Sequence, residues 1–286
     1  MSTEPESPSA SDTVMWYERP AAEWTHALPV GNGRLGGMVF GGVDVERIQL
    51  NEESVWSGSP QDADNPAGRE ALAEIRRLLF VGKYVEAQEL TYAKMICLGK
   101  GSGFAMGANL PYGSYQTLGD LTLKFDYGAP GPLREYRREL NLDSAIATTG
   151  FRIGDVSYRR EVFCSHADQA LVVRVTADRP GAISLDISLG REACAVVTRD
   201  GDNQLVMTGR TPDGRGGDGL RFTARLCVQT EGQGEGASIP ESRSDSGTIR
   251  VQGADAVTLL LTAGTNYDMK NPPTYLGVDP AVRVST

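Results

Sequence analysis

The sequence predicts a mainly β protein: a large antiparallel β-sandwich with a small helical insertion at about residues 65–92. Three observations carry that expectation. Apolar and polar residues alternate with a period of two through most of the chain, the mark of strands with one buried face. Turn residues separate these runs at short spacing, which favours antiparallel sheets packed as a sandwich. Helical spacing is confined to one stretch.

The elements follow in order. In residues 28–42, seven of fifteen positions are Gly or Asn, interleaved with apolar residues. The first half reads as a tight loop and residues 35–42 as a buried strand bounded by glycine. Residues 48–60 then gather Asn51, two carboxylates, a hydroxyl and Trp56 just after a strand, a mix suited to a hydroxylated sugar ring. Residues 66–80 read as a helix. Pro66 stands at its start, Asp64 or Asn65 is a possible cap, and Leu72, Ile75 and Leu79 share one face. A second short helix is expected from Lys83 to about Tyr92, with Tyr84, Ala87 and Leu90 inward. Alternation resumes at 121–125, 171–177 and 183–189, and again at 205–208, 220–228, 248–251 and 257–262. Turn signals stand at 178–181, 199–203 and 211–214. Residues 100–107 and 230–247 read as loops, and the first of these lacks the residue order of a phosphate-binding loop.

Bulk properties narrow the function. A chain of 286 residues can bury a large core. Its net charge of −9 argues against nucleic acid and anionic membrane surfaces, both of which require clustered cations. No apolar run is long enough to span a bilayer. Residues 1–12 are rich in Ser, Glu and Pro and read as a disordered tail with no secretory signal, so a cytoplasmic location is expected. Cys97, Cys164, Cys194 and Cys227 lack metal-ligand spacing, and the last three read as buried small hydrophobes. No metal or other cofactor is expected.

Several motifs occur in a recognisable order. Residues 29–36 read Pro-Val-Gly-Asn-Gly-Arg-Leu-Gly, followed by Glu46, Arg47, Leu50, Asn51, Glu52, Trp56, Ser57 and Gly58. Then come Tyr-Gln-Thr-Leu-Gly-Asp-Leu at 115–121, Tyr-Arg-Arg-Glu-Leu-Asn-Leu at 136–142 and Tyr-Arg-Arg-Glu-Val-Phe-Cys-Ser at 158–165. With these motifs the chain resembles the N-terminal β-domain of the α-L-fucosidases of glycoside hydrolase family 95. The resemblance covers residues 15–271, nearly the whole chain. It implies a non-catalytic domain that packs on an (α/α)6 barrel, which this chain does not contain. That barrel carries the catalytic carboxylates that hydrolyse terminal α-linked fucose from oligosaccharides. Residues 13–272 are then the sandwich, and 273–286 begin a linker toward the barrel. Two alternatives remain: a free-standing carbohydrate-binding module, or a structural docking domain for a separate catalytic chain.

The binding or interface candidates are Asn32, Arg34, Asn51, Glu52 and Trp56; no catalytic residue is assigned. Glu52 and Glu53 are adjacent in an extended segment, so they face opposite ways and cannot clamp one bond. Asn51 and Glu52 are expected to hydrogen-bond the backbone of the loop at 31–36. Arg34 is a candidate partner for a carboxylate across a domain boundary. Trp56 is either a sugar-stacking platform or a packing residue. Arg137, Arg138, Arg159 and Arg160 are expected to cover sheet edges and pair with acids on neighbouring strands.

Overall fold

The computed structural model describes residues 13–99, 107, 110–128, 131–232 and 247–284. The proposed tail at 1–12 and most of the two loops at 100–107 and 230–247 lie outside the described residues. The chain opens with β1 (Val14–Tyr17), β2 (Leu28–Gly31), β3 (Leu35–Val39) and β4 (Val45–Glu52). Helices α1 (Ala67–Phe80) and α2 (Tyr84–Lys94) follow, then β5 (Gly119–Phe125), β6 (Leu133–Asn141), β7 (Ile146–Ile153), β8 (Val156–Ser165) and β9 (Ala170–Ala177). Next come β10 (Ile183–Gly190), β11 (Ala195–Arg199), β12 (Gln204–Pro212), β13 (Asp218–Glu231), β14 (Thr248–Ala254), β15 (Ala256–Thr265) and the short α3 (Pro280–Arg283). The strands pair antiparallel in two sheets. Among the described residues, one sheet has nine strands in the order β1-β6-β7-β8-β9-β15-β13-β12-β11. The other has six, in the order β14-β10-β5-β4-β3-β2. This is the mainly β antiparallel sandwich that the alternation implied.

Strand β10 shows how the pattern builds the core. Ile183, Leu185, Ile187 and Leu189 are buried, and the residues between them are not. Phe125, Leu123 and Leu121 of β5 stand opposite the last three. Val173 of β9 and Leu259 and Leu261 of β15, from the other sheet, complete the same buried cluster. Each such side chain contributes about 1.5–3 kcal/mol of transfer free energy. Among the described residues, no helix is long and apolar enough to cross a membrane.

The structure corrects several local expectations. The strand expected to reach residue 42 stops at Val39. Gly41 takes φ +73°, and a Cβ there would stand 2.7 Å from the Tyr136 hydroxyl, so the chain must turn. In the helical insertion, Gly68, Ile75 and Leu78 are buried on α1 and Ala87 on α2, whereas Leu79 and Tyr84 are exposed. The two helices pack chiefly on each other, so the seam between them sets the buried stripe. Asn65 does serve as a cap: its side-chain oxygen accepts from the Ala67 N–H at 3.1 Å. Cys194 is exposed at φ +64°, outside any strand, while Cys164 and Cys227 are half-buried. Helix α3 packs on β13 and β15, and Val284 beyond it is buried.

The arginines depart furthest from expectation. Arg137 and Arg159 pair with Glu139 and Glu161 of their own strands, at 2.7 and 2.8 Å. Arg138 and Arg160 lie inside the protein. Two residues apart on a strand means the same face, and one residue apart means the opposite face. The outer member of each Arg-Arg pair therefore meets a glutamate, and the inner member meets the core. Arg138 donates to the carbonyls of Arg19 and His26, each at 2.8 Å. Arg160 donates to the carbonyls of Gly42 and Val43, to the Tyr127 hydroxyl, and to Glu46 at 3.2 Å. Glu46 also accepts from the Gly41 N–H at 2.8 Å.

Burial pushes the Glu46 carboxyl up, and the Arg160 charge and the Gly41 N–H oppose that shift. Arg160→Met leaves Glu46 buried without its counter-charge and is expected to cost about 3–5 kcal/mol in chemical denaturation. The folded-state pKa of Glu46 then stands above its unfolded value. A proton bound in the folded state favours folding at lower pH, so the deficit should be largest at neutral pH and shrink as the pH falls through the raised pKa. In Glu46→Gln/Arg160→Met the loss should be smaller than the sum of the single losses.

Candidate functional site

Strands β2 and β3 meet at a hairpin tip, and Asn32 shapes it. The Asn32 side-chain oxygen accepts from the N–H groups of Arg34 and Leu35, at 3.1 and 2.8 Å. Its amide donates to the Ser165 carbonyl at the end of β8, at 2.8 Å. Arg34 reaches across to the nine-stranded sheet. It donates to the Gln169 side chain at 2.7 Å, to the Gln169 carbonyl at 3.0 Å and to the Ala263 carbonyl. Asn32 and Arg34 therefore fasten the hairpin of one sheet to the other.

Asn51 and Glu52 fall on opposite faces of β4. Glu52 points inward: its carboxylate accepts from the Ser54 N–H and hydroxyl, at 2.9 and 2.8 Å, and lies 3.7 Å from Arg34. The Ser54 hydroxyl continues to the Thr265 hydroxyl at 2.6 Å. Asn51 points outward and accepts from the Tyr115 hydroxyl. Neither side chain bonds the backbone of residues 31–36, contrary to expectation. Asn32 supplies those bonds itself, and strand pairing of Leu35 with Glu52 and Gly36 with Asn51 does the rest. Burial, then the charges of Glu52 and Glu53, push the Tyr115 hydroxyl above its usual range.

Trp56 follows β4 in a short bridge with Tyr115, their rings edge to face at 5.8 Å. It is exposed and lines an open cleft of about 720 Å³ with Tyr112, Tyr267, Met269, Tyr275 and Leu276. A polar recess of about 390 Å³ adjoins the cleft through Glu53, Ser54 and Tyr267 and holds Arg34, Glu52, Asp168 and Arg283. Asn51 instead lines a third recess with Trp24 and Tyr115. The five candidates thus divide. Asn32, Arg34 and Glu52 make contacts within the domain, Asn51 faces outward, and Trp56 stands in the aromatic cleft. The sequence reading missed Tyr112, Tyr267 and Tyr275. No local signal marks them, because they join Trp56 only through the fold.

Gly33 at the hairpin tip adopts φ +93°, and nothing lies within 4 Å of the position a Cβ would take. Gly33→Val therefore meets backbone strain without a steric clash. It should destabilise the domain by about 1–3 kcal/mol, read by thermal or chemical unfolding.

Comparison with known proteins agrees with the motifs. Residues 15–270 match the family described as Glycosyl hydrolase family 65, N-terminal domain. The chain is 33% identical over 282 residues to Alpha-L-fucosidase 2 of Arabidopsis thaliana, covering 92% of this chain and 31% of that protein. It is 31% identical over 281 residues to Probable alpha-fucosidase A of Aspergillus niger, covering 92% of this chain and 32% of that protein. The protein of the same name in Aspergillus oryzae is 26% identical over 296 residues, with 95% of this chain and 36% of that protein covered. The chain spans about a third of the length of these relatives. It belongs to the glycoside hydrolase N-terminal domain family, and its resemblance to the N-terminal β-domains of α-L-fucosidases is borne out.

Proposed function

We propose that this chain is the non-catalytic N-terminal β-domain of an α-L-fucosidase-like glycoside hydrolase that acts on terminal α-linked fucose in oligosaccharides. In this reading it packs on an (α/α)6 catalytic barrel, and the surface around Trp56 forms part of the wall of the sugar pocket. Residues 13–272 act as the docking body, and 273–286 lead toward the barrel. The observation that carries the reading is the match to relatives named as fucosidases over nearly all of this chain but only a third of theirs. The site chemistry is compatible. Glycoside hydrolysis normally needs two carboxyl groups flanking one bond. Here Glu52 is held by Ser54, Asp218 pairs with Arg210, and Asp213 accepts from the backbone N–H groups of Arg215 and Gly217.

A carbohydrate-binding module is the second reading, and the exposed aromatic cleft favours it. The two differ in whether the domain needs a barrel to act. The isolated chain should release no fucose from an aryl α-L-fucoside or a fucosylated oligosaccharide. Release above background that a single carboxylate substitution abolishes would refute the non-catalytic assignment. A chimera in which this chain replaces the matching third of Alpha-L-fucosidase 2 should cleave the aryl fucoside, whereas the remaining two-thirds of that enzyme alone should not. An inactive chimera, purified folded, counts against the docking role and leaves the module.

A further inference from the structure

The cleft around Trp56 carries features that a plain packing surface does not need. Trp56, Tyr112, Tyr267 and Tyr275 all line it while keeping between 37% and 46% of their surface exposed. Four partly open aromatic residues around one concavity offer ring faces to a ligand rather than to the core.

A further observation points to a ligand. Tyr275 sits at φ +56°, a left-handed conformation that aromatic residues rarely adopt. It is held there by its N–H bond to the Asn271 carbonyl at 2.7 Å and by the bridge between Tyr267 and Leu276. Backbone strain of this kind persists where the surroundings fix a side chain in place.

The charges select the ligand class. Among the described residues no Lys or Arg lines the cleft, so an anion finds no counter-charge there. Two of its three carboxylates are already engaged: Asp218 with Arg210 at 2.6 Å, and Asp213 with the Arg215 and Gly217 N–H groups at 2.7 and 2.8 Å. A cation would therefore find little free negative charge. A neutral ring with apolar C–H faces and peripheral hydroxyls satisfies both the aromatic faces and the hydroxyl side chains. The volume of about 720 Å³ fits a ligand of more than one ring, because pockets that enclose multi-ring ligands run to about 300–1,000 Å³.

We infer that the cleft binds the neutral hexopyranose units of an oligosaccharide, the part that carries a terminal fucose, rather than fucose itself. The choice of a sugar rests on the glycosidase reading above. The location and the neutral-ring chemistry rest on the cleft alone.

The test is titration of the 286-residue chain with lactose, 2′-fucosyllactose, L-fucose and tetramethylammonium, followed by chemical-shift mapping. Lactose and 2′-fucosyllactose should bind within about threefold of one another, at a Kd of about 1 mM or tighter, with L-fucose about tenfold weaker or worse. The shifts should centre on residues 56–59 and 267–276. Trp56→Ala and Tyr275→Asn should each weaken lactose binding by about tenfold or more; Asn tolerates the left-handed backbone, so the second variant keeps the turn. No lactose binding, equal binding of L-fucose, or preference for tetramethylammonium would each overturn the inference. The fucosidase chimera reports separately. A working chimera without lactose binding removes this inference alone. Lactose binding with an inactive chimera removes the fucosidase reading and leaves the site.

Discussion

A buried guanidinium governs how the two sheets meet. Apolar burial drives the sheets together, but it is non-directional and does not choose one alignment. Arg160 does choose, because its donors reach two carbonyls, a tyrosine hydroxyl and Glu46 at once. It also lies over the ring of Phe125, 3.9 Å from the ring centroid. Those partners belong to the turn at 42–46 and to Tyr127, whereas Arg160 itself stands on β8 of the opposite sheet. A buried pair of this kind is weak evidence for net stability, since desolvation offsets much of the attraction. Its contribution here is registration. A slip of the turn by one residue would leave a carboxylate and a guanidinium buried without partners.

Arg34 and Asn32 repeat the device at the other end of the same strands. The β2–β3 hairpin tip is tied to Ser165, Gln169 and Ala263, just as the β3–β4 turn is tied to Arg160. Strands β3 and β4 are therefore fixed at both ends against the nine-stranded sheet. The chain leaves β4 at Glu52, and Glu52 is itself held by Ser54 and faces Arg34. Four residues later comes Trp56, whose backbone carbonyl accepts from the Thr211 hydroxyl at 2.8 Å. The cleft inherits its geometry from these ties, which is why an exposed Trp can hold a fixed position at the sandwich edge.

The same ties explain what could be read from the sequence and what could not. Strands such as β10 were legible because alternation directly encodes a face, and β10 needs no knowledge of its partner. The helical pair was legible as an insertion, but not in orientation. Leu79 and Tyr84 have helical spacing, yet the seam that selects Ile75, Leu78 and Ala87 exists only once the two helices meet. The Arg-Arg pairs misled for a related reason. Charge suggests the surface, and only distant segments supply the acceptors that let both go inside: the carbonyls of Arg19 and His26 for Arg138, and the turn at 42–46 for Arg160. Among the candidate residues, Trp56 was visible as an isolated aromatic in a polar run. Tyr267 and Tyr275 were invisible, because they lie more than two hundred residues away and reach the cleft only through β15 and the turn that follows it.

This division of labour bears on what the domain contributes. Period two places Asn51 and Glu52 back to back, so one polar motif serves two environments. Its inward half, with Arg34, is consumed in holding the fold. Its outward half meets Tyr115, and the next exposed side chains form the cleft. The carboxylates that border that cleft are largely bound to backbone or to arginine, and a group held this way is poorly placed to exchange a proton with a substrate. The aromatic residues have no such obligations. Two of the three cleft acids are fastened while the rings are free, an arrangement suited to holding a neutral ligand rather than to exchanging a proton with it.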